Sequence, residues 1–392
     1  MRHLFAVLLS LCLVVFLVDG VVSFTDDSLI LFCGFHLVSA LRGLTSFLAL
    51  LAVVGLYGLM GLTPLVPKRL FLPIPVFALV ATLSMFPVLI YCFGQLKQFD
   101  WGFSACQVLV GLWVLYRSQG GLGFRWPPVA VNQLGARNFS WLNLSVFAFV
   151  NIFVLLPAVM IYLFLCTALA VSHFSEGFMA LRPSGFSVEV RKYIRNDGKT
   201  VELFPMAHVA DARFYRNVSQ LFPTNSIILM EGVTDEKNLL TNKISYRRMA
   251  KSLGLTEQRQ AFAPRRGEMM DADVDVDQFT PDTIDFLNLI MLVHARGLTV
   301  ENLQKMLQYS PPAHLDEELI NDLVRKRNQH LVGEIQSHLS ESDNIMVPWG
   351  VAHMPGIARE LRKAGFWLDD TQEYMVIQFH RNKGRNPEVL NR

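Results

Sequence analysis

The chain has 392 residues, 52% of them apolar, and its 35 basic and 33 acidic residues leave a formal net charge of +2. Such a balance offers no large basic surface, so composition does not imply nucleic acid as a partner. Residues 1–175 are dominated by long apolar runs. Residues 176–392 carry most of the charged side chains, and their polar and apolar residues alternate in short periods. The sequence therefore predicts an N-terminal all-α transmembrane bundle of about five helices, followed by a soluble α+β domain with a mixed sheet and helices.

The first apolar run, residues 4–24, is long enough for a bilayer span of about 20 residues. A cleaved signal peptide is the alternative interpretation. Small residues at a cleavage site are not evident around Asp19, so we predict an uncleaved span.

The next tract, residues 28–66, allows two interpretations. Either 44–66 crosses while 29–41 is interfacial or re-entrant, or both segments cross with Arg42 near a tight turn. We favour the first, because 29–41 is short for a crossing.

Three further spans are predicted at 70–94, 103–116 and 141–171. Lys68 and Arg69 mark one short loop as cytoplasmic, and three arginines mark the loop before the last span in the same way. The lightly charged segment near Lys97 lies one span away from each loop. The last span then crosses outward, which predicts an extracytoplasmic C-terminal domain, either periplasmic or on the cell surface.

Ionisable residues are rare within the apolar runs. Asp19, His36 and Arg42 lie deep in them, which is too few for a substrate path or a proton relay. Anchoring in the lipid bilayer is therefore predicted for this half, in preference to transport.

The polar half contains three short predicted strands that end in ionisable side chains. Residues 187–194 and 200–204 form a hairpin around a turn at 196–198, and the second strand leads to His208 before a helical segment at 211–222. A buried strand at 226–230 ends in Glu231, and a strand at 344–347 is followed by Gly350 and His353 before a helix at 355–365. If these strands are parallel neighbours, the three side chains converge at one sheet edge.

Two histidines and one carboxylate are a usual donor set for a catalytic divalent metal that activates water. Each residue also has an ordinary interpretation, as a helix-capping histidine or a solvated glutamate. The residues are far apart in sequence and form no local motif, so their spacing alone leaves both interpretations open.

Between these strands lies an alternation of aspartates at 271, 273, 275 and 277. An EF-hand would need a central glycine and a terminal glutamate, and neither is present. The alternation instead predicts an extended segment with one solvent-exposed face, which leads into helices at 281–295 and 299–307.

A long helix is predicted at 315–339, with an apolar stripe that contains Arg327. A buried guanidinium requires a carboxylate or a ligand; alternatively, the stem of Arg327 carries its charge to solvent. Asn328 lies at the edge of the stripe. Two strands, at 365–368 and 373–379, are predicted to end the domain.

Four short motifs together resemble the TraB/PrgY/GumN/Tiki family over roughly residues 201–379. They are Pro-Met-Ala-His208, Leu-Met-Glu231-Gly, Arg327-Asn328 and Gly350-Val-Ala-His353. Tiki members of this family are membrane-tethered, metal-dependent proteases that act outside the cell.

The resemblance implies roles for six residues. His208, Glu231 and His353 would bind a divalent metal (Mn, Co or Zn), Glu231 serving as ligand or general base. Arg327 would be a catalytic residue that clamps the transition state or a carboxylate, and Asn328 and Gly350 would bind the substrate. Pro205 stands where the family usually has glycine, which implies a stiffer turn before His208.

These observations lead to two functional hypotheses. The first is a membrane-anchored, metal-dependent hydrolase, a metalloprotease acting on a peptide or protein substrate. The second, motivated by Pro205, is a non-catalytic regulator that binds or sequesters a peptide signal through the same cleft.

Overall fold

The computed structural model describes residues 2–35, 37–121, 123, 125–241, 246–297, 299–309, 312 and 314–379. His36 therefore lies outside the described residues. The chain divides into two compact units, Met1–Cys166 and Thr167–Arg392. Each unit is described by itself.

The first unit is helical. Its helices are α1 (Arg2–Cys33), α2 (Ser39–Leu62), α3 (Lys68–Phe71), α4 (Pro73–Tyr91), α5 (Leu96–Gln119), α6 (Trp141–Val150) and α7 (Leu156–Phe174). The last of them, α7, continues beyond Cys166 into the second unit. Five helical segments are long and apolar enough to cross a membrane: 2–33, 39–62, 68–91, 93–119 and 141–174. The predicted number of spans is thus confirmed at the level of length and composition.

The boundaries of the early helices differ from the prediction. Residues 29–33, expected in a separate interfacial piece, continue α1, and α2 begins at Ser39. Buried Asp26 and Asp27 at the end of α1 form ion pairs with Arg42 of α2. These ion pairs join the end of α1 to the start of α2, so the two long helices form a helical hairpin.

The second unit contains a seven-stranded mixed sheet and a separate two-stranded sheet. The strands are β1 (Met179–Arg182), β2 (Gly185–Ile194), β3 (Thr200–Met206), β4 (Val209–Ala210), β5 (Ser226–Met230), β6 (Thr256–Glu257), β7 (Glu268–Asp271), β8 (Asn344–Gly350) and β9 (Trp367–Gln378). The large sheet runs in the order β1-β2-β3-β8-β5-β7, with β9 paired to β2. The two strands predicted near the C-terminus form the single strand β9.

Helices of the second unit connect and cover these strands. They are α8 (Ala212–Ser219), α9 (Arg247–Leu253), α10 (Gln258–Ala261), α11 (Pro281–Arg296), α12 (Val300–Gln308), α13 (Leu315–Ile320), α14 (Arg327–His338) and α15 (Met354–Lys363). A π-helical segment, Asn321–Lys326, joins α13 to α14, so the long predicted helix is continuous but irregular. Ile320, at the end of α13, is exposed.

The central strands are buried on both faces, as parallel strands between helices usually are. Val347 and Trp349 of β8 pack in one cluster with Leu331 of α14 and Ile357 of α15. Met346 of β8 packs on the opposite face with residues of α8. This two-sided core fixes the strand ends from which the candidate site is built.

Candidate functional site

The site lies where four parallel strands end side by side. β3 pairs with β8, β8 with β5 and β5 with β7, all in parallel. The residues that follow these strands are His208, His353, Glu231 and Asp273. The strands that precede the three predicted residues are therefore neighbours with a common direction, and the carboxyl ends of such strands are where open sheets bind ligands.

The guanidinium of Arg327 joins the acidic residues at this edge. Its Nε donates to Asp273 Oδ1 at 2.9 Å, and its Nη2 donates to Asp273 Oδ2 at 2.6 Å and to Glu231 Oε1 at 2.8 Å. Nη1 lies 3.1 Å from His353 Nε2 and 3.4 Å from the Leu323 carbonyl oxygen. We call Glu231, Asp273, Arg327, Asn328 and His353 the Arg327 cluster.

Burial makes these contacts strong. The side chains of Arg327 and Glu231 are 11% and 12% exposed, and that of Asp273 is fully buried. Burial alone would lower the pKa of Arg327, but the hydrogen bonds and charge of Asp273, together with Glu231, outweigh it and raise that pKa. The guanidinium is therefore a fixed positive charge. The π-helical segment immediately before Arg327 is the kind of irregularity that often occurs at functional sites.

His353 is held as a neutral imidazole. Its Nδ1 lies 2.7 Å from Asn328 Oδ1, an oxygen that can only accept, so Nδ1 carries the hydrogen. Nε2 consequently presents its lone pair to Arg327. Burial, and then the charge of Arg327, lower the pKa of His353 to about 4. The His353 and Trp349 rings pack nearly perpendicular to each other, with their centroids 5.2 Å apart.

Two glycines permit the close contacts of the cluster. The backbone N–H of Gly350 donates to Glu231 Oε2 at 2.6 Å, and a Cβ at Gly350 would lie 3.3 Å from that oxygen. A Cβ at Gly356 would lie 2.4 Å from Asn328 Nδ2. Gly350 has no positive φ, so its missing side chain serves to leave space for the Glu231 carboxylate.

His208 lies apart from the cluster contacts. Its side chain is exposed, and its ring stacks on Tyr246 at a centroid distance of 4.8 Å. It is near enough for its charge to contribute to the lowered pKa of His353. Pro205 lies inside β3, paired with Trp349, so it does not form part of the turn before His208.

The arrangement does not fit a divalent metal. Glu231 Oε1 and His353 Nε2 are 3.7 Å apart, but Arg327 already contacts both atoms. Throughout the described part of the chain, no three His, Cys, Asp or Glu side chains form a group that could hold a metal ion. A second cation beside the guanidinium would be repelled, so no chemistry is assigned to a metal here.

Asp273 is the main residue of the site that sequence patterns missed. The aspartate alternation predicted a solvent-exposed face, whereas the Asp273 side chain is buried and also accepts from the Gly232 N–H at 3.1 Å. The sequence did hold a signal for it: a buried Arg327 requires a carboxylate partner, and the aspartate alternation supplies candidates. Trp349 was also missed; its ring lies under the Arg327 guanidinium at 5.3 Å.

Comparison of the chain with protein-family models, with curated proteins and with solved structures finds no match. The geometry of the Arg327 cluster is therefore the basis for a functional assignment.

Proposed function

We propose that the protein is a membrane-anchored hydrolase that cleaves a peptide or protein substrate at the Arg327 cluster. The observation that carries the proposal is a carboxylate, Glu231, lying 3.7 Å from a neutral histidine and 2.8 Å from a buried guanidinium at the ends of parallel strands. Paired donors and acceptors of this kind can move a proton and stabilise developing negative charge. The motif resemblance to the TraB/PrgY/GumN/Tiki family supports the same assignment.

Glu231 is the proposed general base. Each of its oxygens accepts one hydrogen bond, from Arg327 and from Gly350, and a carboxylate oxygen can accept a second. A water molecule bound to Glu231 can therefore be deprotonated without breaking the cluster. His353 stays neutral, and its Nε2 accepts from Arg327 Nη1 at 3.1 Å, which keeps the imidazole oriented toward the site.

The proposed location of this domain is outside the cytoplasm. Support comes from five helices of sufficient length and apolarity, and from Lys and Arg residues that lie at the start of the third span and in the loop before the fifth. The bilayer would then serve as the anchor, with catalysis confined to the second unit.

The test uses the purified full-length chain in detergent and a mixture of fluorescence-quenched peptides. We expect hydrolysis by the wild type, and a loss of about 10²-fold or more in Glu231→Gln, which retains size but cannot take a proton. Wild-type protein that cleaves no peptide, or a Glu231→Gln variant of full activity, would contradict the proposal.

A non-catalytic regulator is the second candidate. The favouring observation is that the Arg327 donors all have partners within the protein, so the cluster is stable without turnover. In that case peptides bind to wild type and to Glu231→Gln alike, and neither protein cleaves them.

A further inference from the structure

We infer that the guanidinium of Arg327 is the resident cation of this site, so that the protein works without a catalytic metal. The inference rests on the proposed hydrolase function. A histidine and a carboxylate at such a site would otherwise bind a metal ion, which would supply the positive charge. Here the guanidinium supplies it.

The position of the guanidinium supports this role. It bridges His353 Nε2 at 3.1 Å and Glu231 Oε1 at 2.8 Å, the two atoms that would otherwise coordinate an ion. Asp273 holds it through two parallel bonds, a geometry that fixes direction as well as charge. Asp273 is thus a positioning residue, because it acts on the reaction through Arg327.

The two edges of the guanidinium differ. Nε and Nη2 make short bonds to carboxylates, whereas Nη1 faces two neutral acceptors at 3.1 and 3.4 Å. Neutral, longer bonds are the ones that an incoming anionic oxygen replaces most readily. We therefore assign Nη1 as the donor to the substrate carbonyl oxygen.

The reaction then balances within the chain's own groups and water. Glu231 accepts a proton as the water oxygen bonds to the carbonyl carbon, and the carbonyl oxygen becomes an oxyanion that accepts from Nη1. When the carbon–nitrogen bond breaks, the electron pair leaves with nitrogen and Glu231 returns the proton to that amine. The products are one carboxylic acid and one amine, and no oxidant or further reactant is needed.

Two measurements on the purified full-length chain test the inference. Elemental analysis should find no stoichiometric Mn, Co or Zn, and hydrolysis should be unchanged by a chelator. A stoichiometric metal that is lost in His353→Ala, or activity that a chelator abolishes and a divalent ion restores, would overturn it. Wild-type protein with neither metal nor hydrolysis would refute the proposed function instead, so the two failures are distinguishable.

Chemical rescue provides a second, variant-based test. Arg327→Ala should lose activity by about 10²–10³-fold, as expected when a donor to an oxyanion is removed. Free guanidinium should restore part of that activity, whereas methylammonium, which lacks the planar fork, should restore less. Restoration by a divalent ion and not by guanidinium would refute the assignment. If Arg327→Ala fails to fold, the wild-type metal analysis still decides.

Discussion

At the scale of single residues, Asp273 determines whether Arg327 keeps its orientation. Asp273→Asn removes the negative charge and one acceptor from a pair in which the Asp273 side chain is fully buried and that of Arg327 is 11% exposed. Breaking a buried ion pair leaves the partner uncompensated and typically costs about 3–5 kcal/mol. We expect the free energy of unfolding to fall by a few kcal/mol and hydrolysis to be largely lost, measured by denaturant titration and peptide cleavage of the full-length chain.

The matched control for this change is Asp277→Asn, on the same segment. Asp277 pairs with Lys237, whose side chain is 66% exposed. Surface substitutions usually change stability by less than about 0.5 kcal/mol. Equal losses in both variants would show that Asp273 has no special role.

A substitution at Gly350 tests whether the position of the Glu231 carboxylate matters for activity. In Gly350→Ala the new Cβ lies 3.3 Å from Glu231 Oε2, closer than the carboxylate tolerates without moving. A small displacement of a catalytic group lowers turnover, here by about 10-fold or more. We expect reduced kcat with the fold retained. Gly232→Ala, where a Cβ meets nothing within 4 Å, should retain activity in the same assay.

At the scale of secondary-structure elements, Asp19 joins three helices of the first unit. Its carboxylate accepts from Ser46 at 2.7 Å and Thr45 at 3.1 Å on α2, and from Gln107 at 2.8 Å on α5. Asp19 is 5% exposed, so its hydrogen bonds replace water within an apolar bundle. Asp19 is therefore part of a hydrogen-bond network between α1, α2 and α5.

Removing this network should loosen the helical unit. In Asp19→Leu the donors on α2 and α5 lose their acceptor, and since hydrogen bonds between membrane helices contribute about 0.6 kcal/mol each, we expect a loss near 2 kcal/mol. Thermal unfolding of the detergent-solubilised chain measures it. Thr82→Val is the control, because the Thr82 hydroxyl donates to the Ala78 carbonyl oxygen of its own helix. A midpoint unchanged in Asp19→Leu would contradict the expectation.

The sheet contributes a pH dependence through Glu202 of β3. Burial raises the pKa of Glu202 to about 6, with Lys192 opposing the shift and Asp370 adding to it. The native state therefore binds the proton more tightly than the unfolded state. The free energy of unfolding should fall as pH rises from about 4.5 through about 6, by at most about 2 kcal/mol.

Glu202→Gln removes this titration. The variant should be more stable than wild type above about pH 6 and similar to it at about pH 4, because only the charged carboxylate is penalised. Denaturant titrations across this range measure the difference. Parallel pH profiles for the two proteins would exclude Glu202 as the cause.

At the scale of the whole molecule, patterns that repeat along the chain were predictable and contacts between distant segments were not. Apolar length identified the five candidate spans, and strand-length runs identified β3, β5 and β8 with the residues that follow them. The pairing of Asp273 with Arg327 joins residues 54 positions apart, and no local period encodes it. The bonding of Glu231 to Gly350 depends in the same way on the order of strands in the sheet.

The placement of the second unit outside the cytoplasm is a prediction about the entire chain. It depends on positive charges near Lys68 and in the loop before the last span, which are retained on the cytoplasmic side. In a variant without native cysteines, Ser252→Cys of the second unit should react with a membrane-impermeant maleimide in intact cells. Ala130→Cys, in the loop before the last span, should react only after permeabilisation. Both positions are exposed, so the difference reports sidedness and not burial. The reverse pattern would place the Arg327 cluster in the cytoplasm and require an intracellular substrate.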